Sequence, residues 1–234
     1  MPDQSRELLR RARVHIAATG RVGTAIALGL HTAGAGVISA NDHQRFEQEQ
    51  LETCVFSRTS DLGRFKVHVL ERFFDGRPGS VFLPVVGRNE ARSVWPYLEQ
   101  ADLIISCANS FPARLFIEQA AVNLRKPCVQ ACVQDGRTAL GGVVTLWAPE
   151  ANCSCFGCLF TRPRTRFKRG ELLLPTVTAT VASVATRLAT EMLRSGPSRV
   201  AERQNVVAVD LALLTMQNMS IRPRPTCPIC GGRQ

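Results

Sequence analysis

The stretch that decides the fold is VHIAATGRVGTAIALGL, residues 14–30. An apolar run typical of a buried strand leads into Gly20 and Gly23, and a helical pattern follows. A strand, a glycine-containing turn and a helix in this order predict the first unit of a dinucleotide-binding fold. Ala18 stands where the first glycine of a G-x-G-x-x-G fingerprint would be, so the fingerprint is incomplete.

Further strand-like and helical segments alternate after this unit. Strand-like runs lie at residues 36–40, 80–86, 102–107 and 126–133, and helical patterns lie at residues 24–32, 62–74, 89–100 and 111–124. After residue 135, antiparallel strands are predicted within 141–149 and 205–223, with a long helix at 175–193 between them. The pattern predicts an α/β fold: a Rossmann-like, mostly parallel sheet with helices on both faces and antiparallel C-terminal strands.

Composition narrows the class of protein. The chain has 234 residues, a net charge of +10 and 45% apolar residues. Its first residues, MPDQSRELLRRARV, contain no apolar segment of a signal peptide, and no apolar run is long enough for a membrane helix. We therefore expect a cytoplasmic protein without a membrane partner. The positive charge favours an acidic partner, but only Phe167 is interleaved in the basic run 162–169, which argues against nucleic acid.

The cysteines predict a metal site. Among nine cysteines, Cys155 with Cys158 and Cys227 with Cys230 form two C-x2-C pairs. Two such pairs provide four thiolates, the ligand set of a closed structural Zn²⁺ site. The alternative, a redox pair, requires one C-x2-C at a helix start in a thioredoxin-like pattern.

The other cysteines are assigned less specifically. Cys153 is a spare ligand or a reactive thiol, and the sequence gives no role to Cys54. Cys107, Cys128 and Cys132 are expected to be buried small apolar residues.

An acidic residue supports a nucleotide site at the glycine turn. Asp42 follows the second strand at about the 20-residue separation at which a carboxylate binds ribose hydroxyls. Two interpretations stay open on these residues alone: a nucleotide-binding turn, such as the dinucleotide site of an NAD(P)-dependent oxidoreductase, and a structural turn without a ligand. The oxidoreductase leaves the cysteine pairs unexplained.

The chain resembles the ThiF/MoeB/HesA family of ubiquitin-activating-enzyme-like adenylyltransferases. The resemblance lies in five stretches in the right order: VHIAATGRVGTAIALGLHTAGAG, the Asp42 segment, DLIISCANSFPARLFIEQAAVNLRKPCV, LPTVTATVASVATRLATEMLRSG, and the pair CFGC with CPICGG. It implies one adenylation domain over residues 1–234. Residues 1–135 form its nucleotide-binding half, and residues 136–234 its zinc-stapled, carrier-binding half with a basic crossover loop at 159–174.

The resemblance also implies roles for single residues. Gly20, Arg21 and Gly23 match the loop that lies against ATP, Asp42 the acid that holds the ribose, and Lys66 a lysine that contacts the phosphates. The implied partner is the C-terminal tail of a ubiquitin-like or sulfur-carrier protein, or of a peptide. Relatives of this kind are homodimers, which the small residues of the long helix would suit.

Several positions depart from the family pattern. Gln50, Thr53 and Cys54 stand where an asparagine, an arginine and a glutamine are usual. Asn109 stands in place of the acid that supports Mg²⁺, and an amide oxygen lacks the charge that this ion prefers. The usual N-terminal extension is short, and Arg6, Arg10 and Arg11 are possible replacements for its arginine. The crossover loop has no cysteine, so transfer of the product to a thiol there is not expected.

Two functions remain. The first is ATP-dependent adenylation of a C-terminal carboxylate, which the matches at Asp42 and Lys66 favour. The second is a catalytically degenerate peptide-binding partner of another enzyme in ribosomal-peptide maturation, which the departures at Ala18, Thr53 and Asn109 favour.

Overall fold

The computed structural model describes residues 2–54, 56–133, 140–161 and 175–231. The strands are β1 (Arg13–Ala17), β2 (Val37–Asp42), β3 (Val81–Val86), β4 (Leu103–Ser106), β5 (Cys128–Val133), β6 (Gly141–Trp147), β7 (Val206–Asp210) and β8 (Thr215–Met219). The helices are α1 (Pro2–Arg11), α2 (Arg21–Ala33), α3 (Gln48–Thr53), α4 (Lys66–Phe74), α5 (Trp95–Gln100), α6 (Phe111–Leu124), α7 (Phe156–Leu159), α8 (Pro175–Ser195) and α9 (Pro197–Arg203).

The strands form one eight-stranded sheet in the order β3-β2-β1-β4-β5-β6-β7-β8. The first five strands of this order pair in parallel, and β6, β7 and β8 are added in antiparallel pairs. The predicted fold class is therefore confirmed. The chain turns from one half of the sheet to the other between β1 and β4, and this is the switch point at which open α/β sheets bind ligands.

Helices cover both faces of the sheet. On one face, α2 and α8 pack together and cover a large apolar core that includes Ile16, Ile38 and Leu146. On the other face, α5 and α6 cover a smaller cluster that includes Ala17 and Ile104. Strands buried on both faces explain why these segments read as continuous apolar runs.

Several element boundaries differ from the predicted ones. Helix α4 begins at Lys66 rather than at 62, and α5 begins at Trp95, where Pro96 fits the first turn because it needs no hydrogen-bond partner there. Strand β2 runs through Asp42, which was expected just after the strand. The N-terminal residues form α1, a helix that the sequence analysis did not predict.

The small residues of α8 are used within the chain. Val181, Ala185 and Ala189 are buried in the main core, and a Cβ on Gly29 of α2 would lie 2.9 Å from Thr186. This close helix contact accounts for the small residues without a second subunit, so the homodimer stays a prediction that rests on the resemblance. Within the described ranges, none of the helices combines the length and the apolarity needed to cross a bilayer.

Candidate nucleotide site and four-cysteine cluster

The carboxyl ends of β1, β2 and β4 meet at one edge of the sheet. Gly20 precedes the first residue of α2, Arg21, while Asp42 ends β2 and Asn109 follows β4. The N-terminus of α2, with the backbone N–H groups of its first turn and its positive dipole end, lies at this edge. The edge therefore collects the predicted nucleotide-binding residues at a place suited to an anion.

The loop after β1 keeps a glycine-type backbone without the first glycine. Ala18 has φ 76°, in the left-handed region that favours glycine. Gly23 is required by packing, because a Cβ there would lie 2.1 Å from the carbonyl oxygen of Ala18. The backbone N–H of Ala18 donates to the carbonyl of Asn41 at 3.0 Å. The loop thus holds its tight conformation at the expense of strain at Ala18.

Gly20 is different, because nothing in the described part of the chain requires a glycine there. Its φ is −67°, which any residue adopts, and a Cβ at this position would meet no atom of the described residues within 4 Å. The open space lies directly before the first turn of α2. A glycine at such a place lets a ligand approach the backbone.

Asp42 is buried and hydrogen-bonded within the chain. Its Oδ2 accepts from the backbone N–H of Thr19 at 2.9 Å and from the Thr19 hydroxyl at 3.3 Å. Its Oδ1 accepts from the backbone N–H of Gln44 at 2.8 Å. The two oxygens of a carboxylate offer about four acceptor positions, so capacity for one further donor remains. Only 5% of Asp42 is exposed, a burial that the sequence analysis did not foresee.

Lys66 joins this arrangement through Gln44. The ammonium of Lys66 donates to Gln44 Oε1 at 2.8 Å, and because that partner is a neutral amide, this contact does not neutralise the positive charge. Arg45 forms an antiparallel bridge with Phe65, and its guanidinium stacks 4.1 Å from the centre of the Phe65 ring. It also donates to the Gly63 carbonyl at 2.6 Å, so the contacts of Arg45 differ from those of Lys66.

Thr19, Asp42, Gln44 and Lys66 therefore form one chain of hydrogen bonds from the glycine loop to the start of α4. The sequence analysis identified its two charged members and missed Thr19 and Gln44. A threonine in the loop and a polar residue two positions after the acid were the available signals, because such residues cap nearby polar groups.

The remaining predicted positions do not belong to this chain of hydrogen bonds. Asn109 is exposed at the same edge, and Ser110 after it caps α6 by accepting from the N–H of Ala113 at 3.3 Å. Arg21 is half-buried at the start of α2. The Gln50 side chain accepts from the N–H of Glu47 at 2.7 Å and caps α3. The run 162–169 of the crossover loop lies outside the described residues.

The four cysteines of the two C-x2-C pairs come together as predicted. The sulfurs of Cys155, Cys158, Cys227 and Cys230 all lie within 4.8 Å of one another. Cys155 Sγ lies 3.8 Å from Cys158 Sγ and 3.6 Å from Cys227 Sγ, and Cys158 Sγ lies 3.4 Å from Cys230 Sγ. Four sulfurs bound tetrahedrally at 2.3 Å to one zinc are about 3.8 Å apart. The cluster therefore has the size of a tetrahedral metal site.

The electrostatics of the cluster also favour a cation. The pKa of Cys155 is raised by its hydrogen bond with Cys230 and by burial. Burial raises the pKa of Cys158 to about 11. The same hydrogen bond from Cys155 lowers the pKa of Cys230 to about 5. Sulfurs this close cannot all ionise without a cation between them. The N–H of Arg224 donates to Cys158 Sγ at 3.3 Å, as amides do around thiolate ligands.

Two buried polar side chains hold the halves of the cluster in place. Asn205 donates to the Ser154 hydroxyl at 3.1 Å and to the Ile221 carbonyl at 2.7 Å, and accepts from the Ile221 N–H at 2.8 Å. It therefore fixes the C-terminal tail beside the residue that precedes Cys155. Glu118 on α6 accepts from the N–H of Phe156 at 3.0 Å. The cluster is thereby attached to both the sheet and α6.

The other cysteines have a different environment. Burial raises the pKa of Cys107 and of Cys153 to about 12 and that of Cys128 well above its usual value. Thiols of this kind are poor nucleophiles at neutral pH. Cys153 is buried but is not a member of the group of four sulfurs. The burial of Cys107, Cys128 and Cys132, full or partial, agrees with the role expected of them.

Comparison with known proteins gives the relatives of this chain. A sulfur carrier protein adenylyltransferase of Thermus thermophilus is 26% identical over 242 residues, which cover 97% of this chain and 85% of the relative. The adenylyltransferase and sulfurtransferase uba4 of Emericella nidulans is 27% identical over 237 residues, which cover 95% of this chain and 48% of that protein. The chain thus spans about half the length of uba4.

Solved structures share the fold. Escherichia coli MccB, crystallised with MccA-N7isoASN, superposes with a TM-score of 0.80 at 17% identity, covering 99% of this chain and 70% of MccB. PaaA superposes with a TM-score of 0.74 at 18% identity, covering 94% of this chain and 67% of PaaA. At these identities the structures show a common fold. The ThiF family model matches residues 1–229, and the chain belongs to the ThiF family.

Proposed function

We propose that this protein transfers the adenylyl group of ATP to the C-terminal carboxylate of a ubiquitin-like or sulfur-carrier protein, or of a peptide. The observation that carries the proposal is the hydrogen-bonded chain from Thr19 through Asp42 and Gln44 to Lys66, beside the N-terminus of α2. The named relatives support it, because one is named a sulfur carrier protein adenylyltransferase and the other an adenylyltransferase and sulfurtransferase.

The reaction needs positioning more than covalent help. A carboxylate oxygen of the tail attacks the α-phosphorus of ATP, and the bond from that phosphorus to the bridging oxygen breaks. Its electron pair leaves with pyrophosphate, and an acyl adenylate forms. The negative charge that spreads over the phosphates must be stabilised, and fixed cations and N–H groups do this best.

Each residue has a proposed part in this reaction. The open space at Gly20 and the helix end with Arg21 receive the phosphates, and Gly23 keeps the loop close to α2. Asp42 accepts from a ribose hydroxyl with its remaining acceptor position. Lys66 provides a positive charge whose partner is neutral. Mg²⁺ supplies charge neutralisation when bound, and the exposed amide of Asn109 is a hard oxygen donor that fits it, although without a negative charge.

We also propose that the four-cysteine cluster holds a structural Zn²⁺ ion. The sulfur spacings match a tetrahedral ion, and four protein ligands leave no open coordination position for catalysis. Its role is to attach the C-terminal tail to the segment after β6. This division, with the nucleotide-binding residues in 1–135 and the cluster in 136–234, follows the proposed two halves of the domain. A homodimer is proposed from the resemblance.

Pyrophosphate exchange tests the adenylation. Purified protein is incubated with ATP, Mg²⁺, labelled pyrophosphate and a synthetic tail or small carrier protein that ends in Gly-Gly. We expect label to enter ATP only when a free C-terminal carboxylate is present, and not when the same peptide is amidated. ATP binding without pyrophosphate exchange, across a panel of carrier tails and peptides, would contradict the proposed adenylation activity.

A peptide-binding protein without catalysis is the second candidate. Strain at Ala18, the amide at Asn109 and the internal hydrogen bonds of Asp42 favour it, because each weakens a part that adenylation needs. In this case a peptide binds with the same affinity with or without ATP. Affinity for the peptide that rises in the presence of ATP favours the enzyme.

A further inference from the structure

A buried polar network lies in the sheet just below the candidate nucleotide site. His15, in the middle of β1, is fully buried. Its Nδ1 lies 3.0 Å from the Ser39 hydroxyl, and its Nε2 lies 3.0 Å from Asn41 Oδ1. Tyr97 of α5 stacks on the ring with the ring centres 6.4 Å apart. None of the roles proposed above uses this histidine.

The direction of each hydrogen bond follows from Asn41. Its Nδ2 donates to the Gly87 carbonyl at 3.1 Å and to Asn89 Oδ1 at 3.0 Å, so its Oδ1 faces His15 as an acceptor. Nε2 of His15 must then carry the proton, and Nδ1 accepts from the Ser39 hydroxyl at 3.0 Å, a shorter contact than the 3.4 Å from that hydroxyl to the Val14 carbonyl. Burial lowers the pKa of His15 to about 4, so the ring is neutral at pH 7, as this pattern requires.

The network reaches the nucleotide site through the backbone. The carbonyl of Asn41 accepts from the N–H of Ala18 at 3.0 Å, and the N–H of Gly87 donates to the carbonyl of Asp42 at 3.2 Å. Asn41 therefore connects three parts of the edge: the glycine loop, the proposed ribose acid and the loop at residues 87–89. Asn41 and Asn89 are buried, with 1% and 8% exposed.

The surroundings make such a network costly. His15 pairs with Ile104 in the sheet, and on this face lies an apolar cluster that includes Ala17, Val85 and Leu98. Apolar side chains could fill the same space at equal or better stability, whereas a buried polar group costs free energy unless all its bonds are made. A fully hydrogen-bonded network holds the residues that it joins in one geometry.

We propose that His15 is a positioning residue of the nucleotide site, which orients the Asn41 amide and so holds the loop at 87–89 beside the ribose and base of the nucleotide. This role rests on the proposed function, since it assumes that ATP binds at this edge. The loop is joined to the Asp42 backbone, on the ribose side, whereas the phosphates are assigned to Gly20 and Lys66. Loss of the network should therefore weaken adenosine binding and leave phosphate binding intact.

The test compares two ligands that each carry half of ATP. AMP and tripolyphosphate are titrated separately by calorimetry into the full-length protein and into His15→Phe and His15→Gln. Phenylalanine keeps a flat ring beside Tyr97 and removes both hydrogen bonds, whereas the amide of glutamine can still donate to Asn41 Oδ1. We expect His15→Phe to bind AMP at least about tenfold more weakly and tripolyphosphate within about twofold of wild type. His15→Gln should recover most of the AMP affinity.

The outcomes separate the two proposals. Unchanged AMP affinity in folded His15→Phe, or equal losses for AMP and tripolyphosphate, would overturn the positioning role. If His15→Phe does not fold, Asn89→Ala removes the far end of the network and should show the same selective loss, and unchanged AMP affinity there overturns the role. A wild-type protein that binds neither AMP nor ATP removes the proposed function together with this role. Wild-type binding with no effect at His15 removes this role alone.

Discussion

A Cβ on Gly23 would lie 2.1 Å from the carbonyl oxygen of Ala18. Both groups are backbone-bound, so neither can move away without opening the loop after β1. Of the two glycines that survive in the incomplete fingerprint, Gly23 is therefore the one that packing requires, and Ala18, where the fingerprint glycine is missing, carries the strain. The loop keeps its tight conformation, which supports the ATP site proposed at this edge.

Substitutions at the two loop glycines should affect different properties, stability at Gly23 and ATP binding at Gly20. Gly23→Ala should cost at least about 2 kcal/mol of unfolding free energy, because its Cβ overlaps a backbone oxygen. Gly20→Ala should change it by less than about 0.5 kcal/mol, because the added Cβ meets nothing. Gly20→Ala should nevertheless weaken ATP binding about tenfold, since the methyl group enters the space proposed for phosphate. Urea unfolding and calorimetry measure both, and a Gly20→Ala protein that binds ATP like wild type would contradict the phosphate position.

Ala18→Gly should stabilise the protein. An alanine in the left-handed region destabilises the folded state by about 1–2 kcal/mol. A glycine increases the entropy of the unfolded chain, which lowers the stability by about 0.4–1 kcal/mol. The expected net gain is about 0.5–1 kcal/mol, measured by urea unfolding. Ala17→Gly is the matched control, because Ala17 is a buried strand residue and its substitution should destabilise. Equal destabilisation by both glycines would show that Ala18 is not strained.

The cluster should contain about one zinc ion per chain. Cys227→Ser should lose the metal and at least about 3 kcal/mol of stability, a part of the roughly 10 kcal/mol that structural zinc contributes in small domains. Cys153→Ala is the control, since this cysteine is buried nearby but stands outside the group of four sulfurs. Elemental analysis checks both variants. Loss of zinc in Cys153→Ala, or a stable metal-free wild type, would contradict the assignment.

His15 links stability to pH. Burial lowers its pKa from 6.5 to about 4, so between these values the unfolded chain binds a proton that the folded chain does not. The contribution is complete above pH 6.5 and is lost as the pH falls toward 4, about 3 kcal/mol over the whole window. Urea unfolding of wild type and His15→Gln at pH 7, 6 and 5 measures the difference. Parallel curves for the two proteins would exclude His15 as the source.

Much of the fold could be predicted because it depends on local pattern. Apolar runs alternating with helical segments fixed the parallel half of the sheet, and the spacing of Cys155 and Cys158 identified one half of the metal cluster. The site details depend on contacts across strands. Whether Lys66 or Arg45 joins the hydrogen-bonded chain of Asp42 depends on how residues 44–46 pair with residues 64–66 around the bridge of Arg45 with Phe65, which no single segment reveals.

The network of His15, Ser39 and Asn41 could not be predicted either, because it also depends on contacts between strands. His15 reads as one polar residue in an apolar strand, and its partners lie on β2 in a register that the sequence does not show. The left-handed backbone of Ala18 was also hidden, because alanine gives no signal for it. Tertiary contacts impose that conformation through Gly23 and Asn41.

ATP binding at the edge formed by β1, β2 and β4 is tested most directly by calorimetry with Mg²⁺ on wild type, Lys66→Ala and Arg45→Ala. Each variant removes one positive charge, but only Lys66 belongs to the hydrogen-bonded chain of Asp42, whereas Arg45 contacts Phe65 and Gly63. We predict that wild type binds ATP with a Kd below about 1 mM, that Lys66→Ala binds at least about tenfold more weakly, and that Arg45→Ala stays within about twofold. No binding by wild type at millimolar ATP, or equal losses in the two variants, would contradict the account.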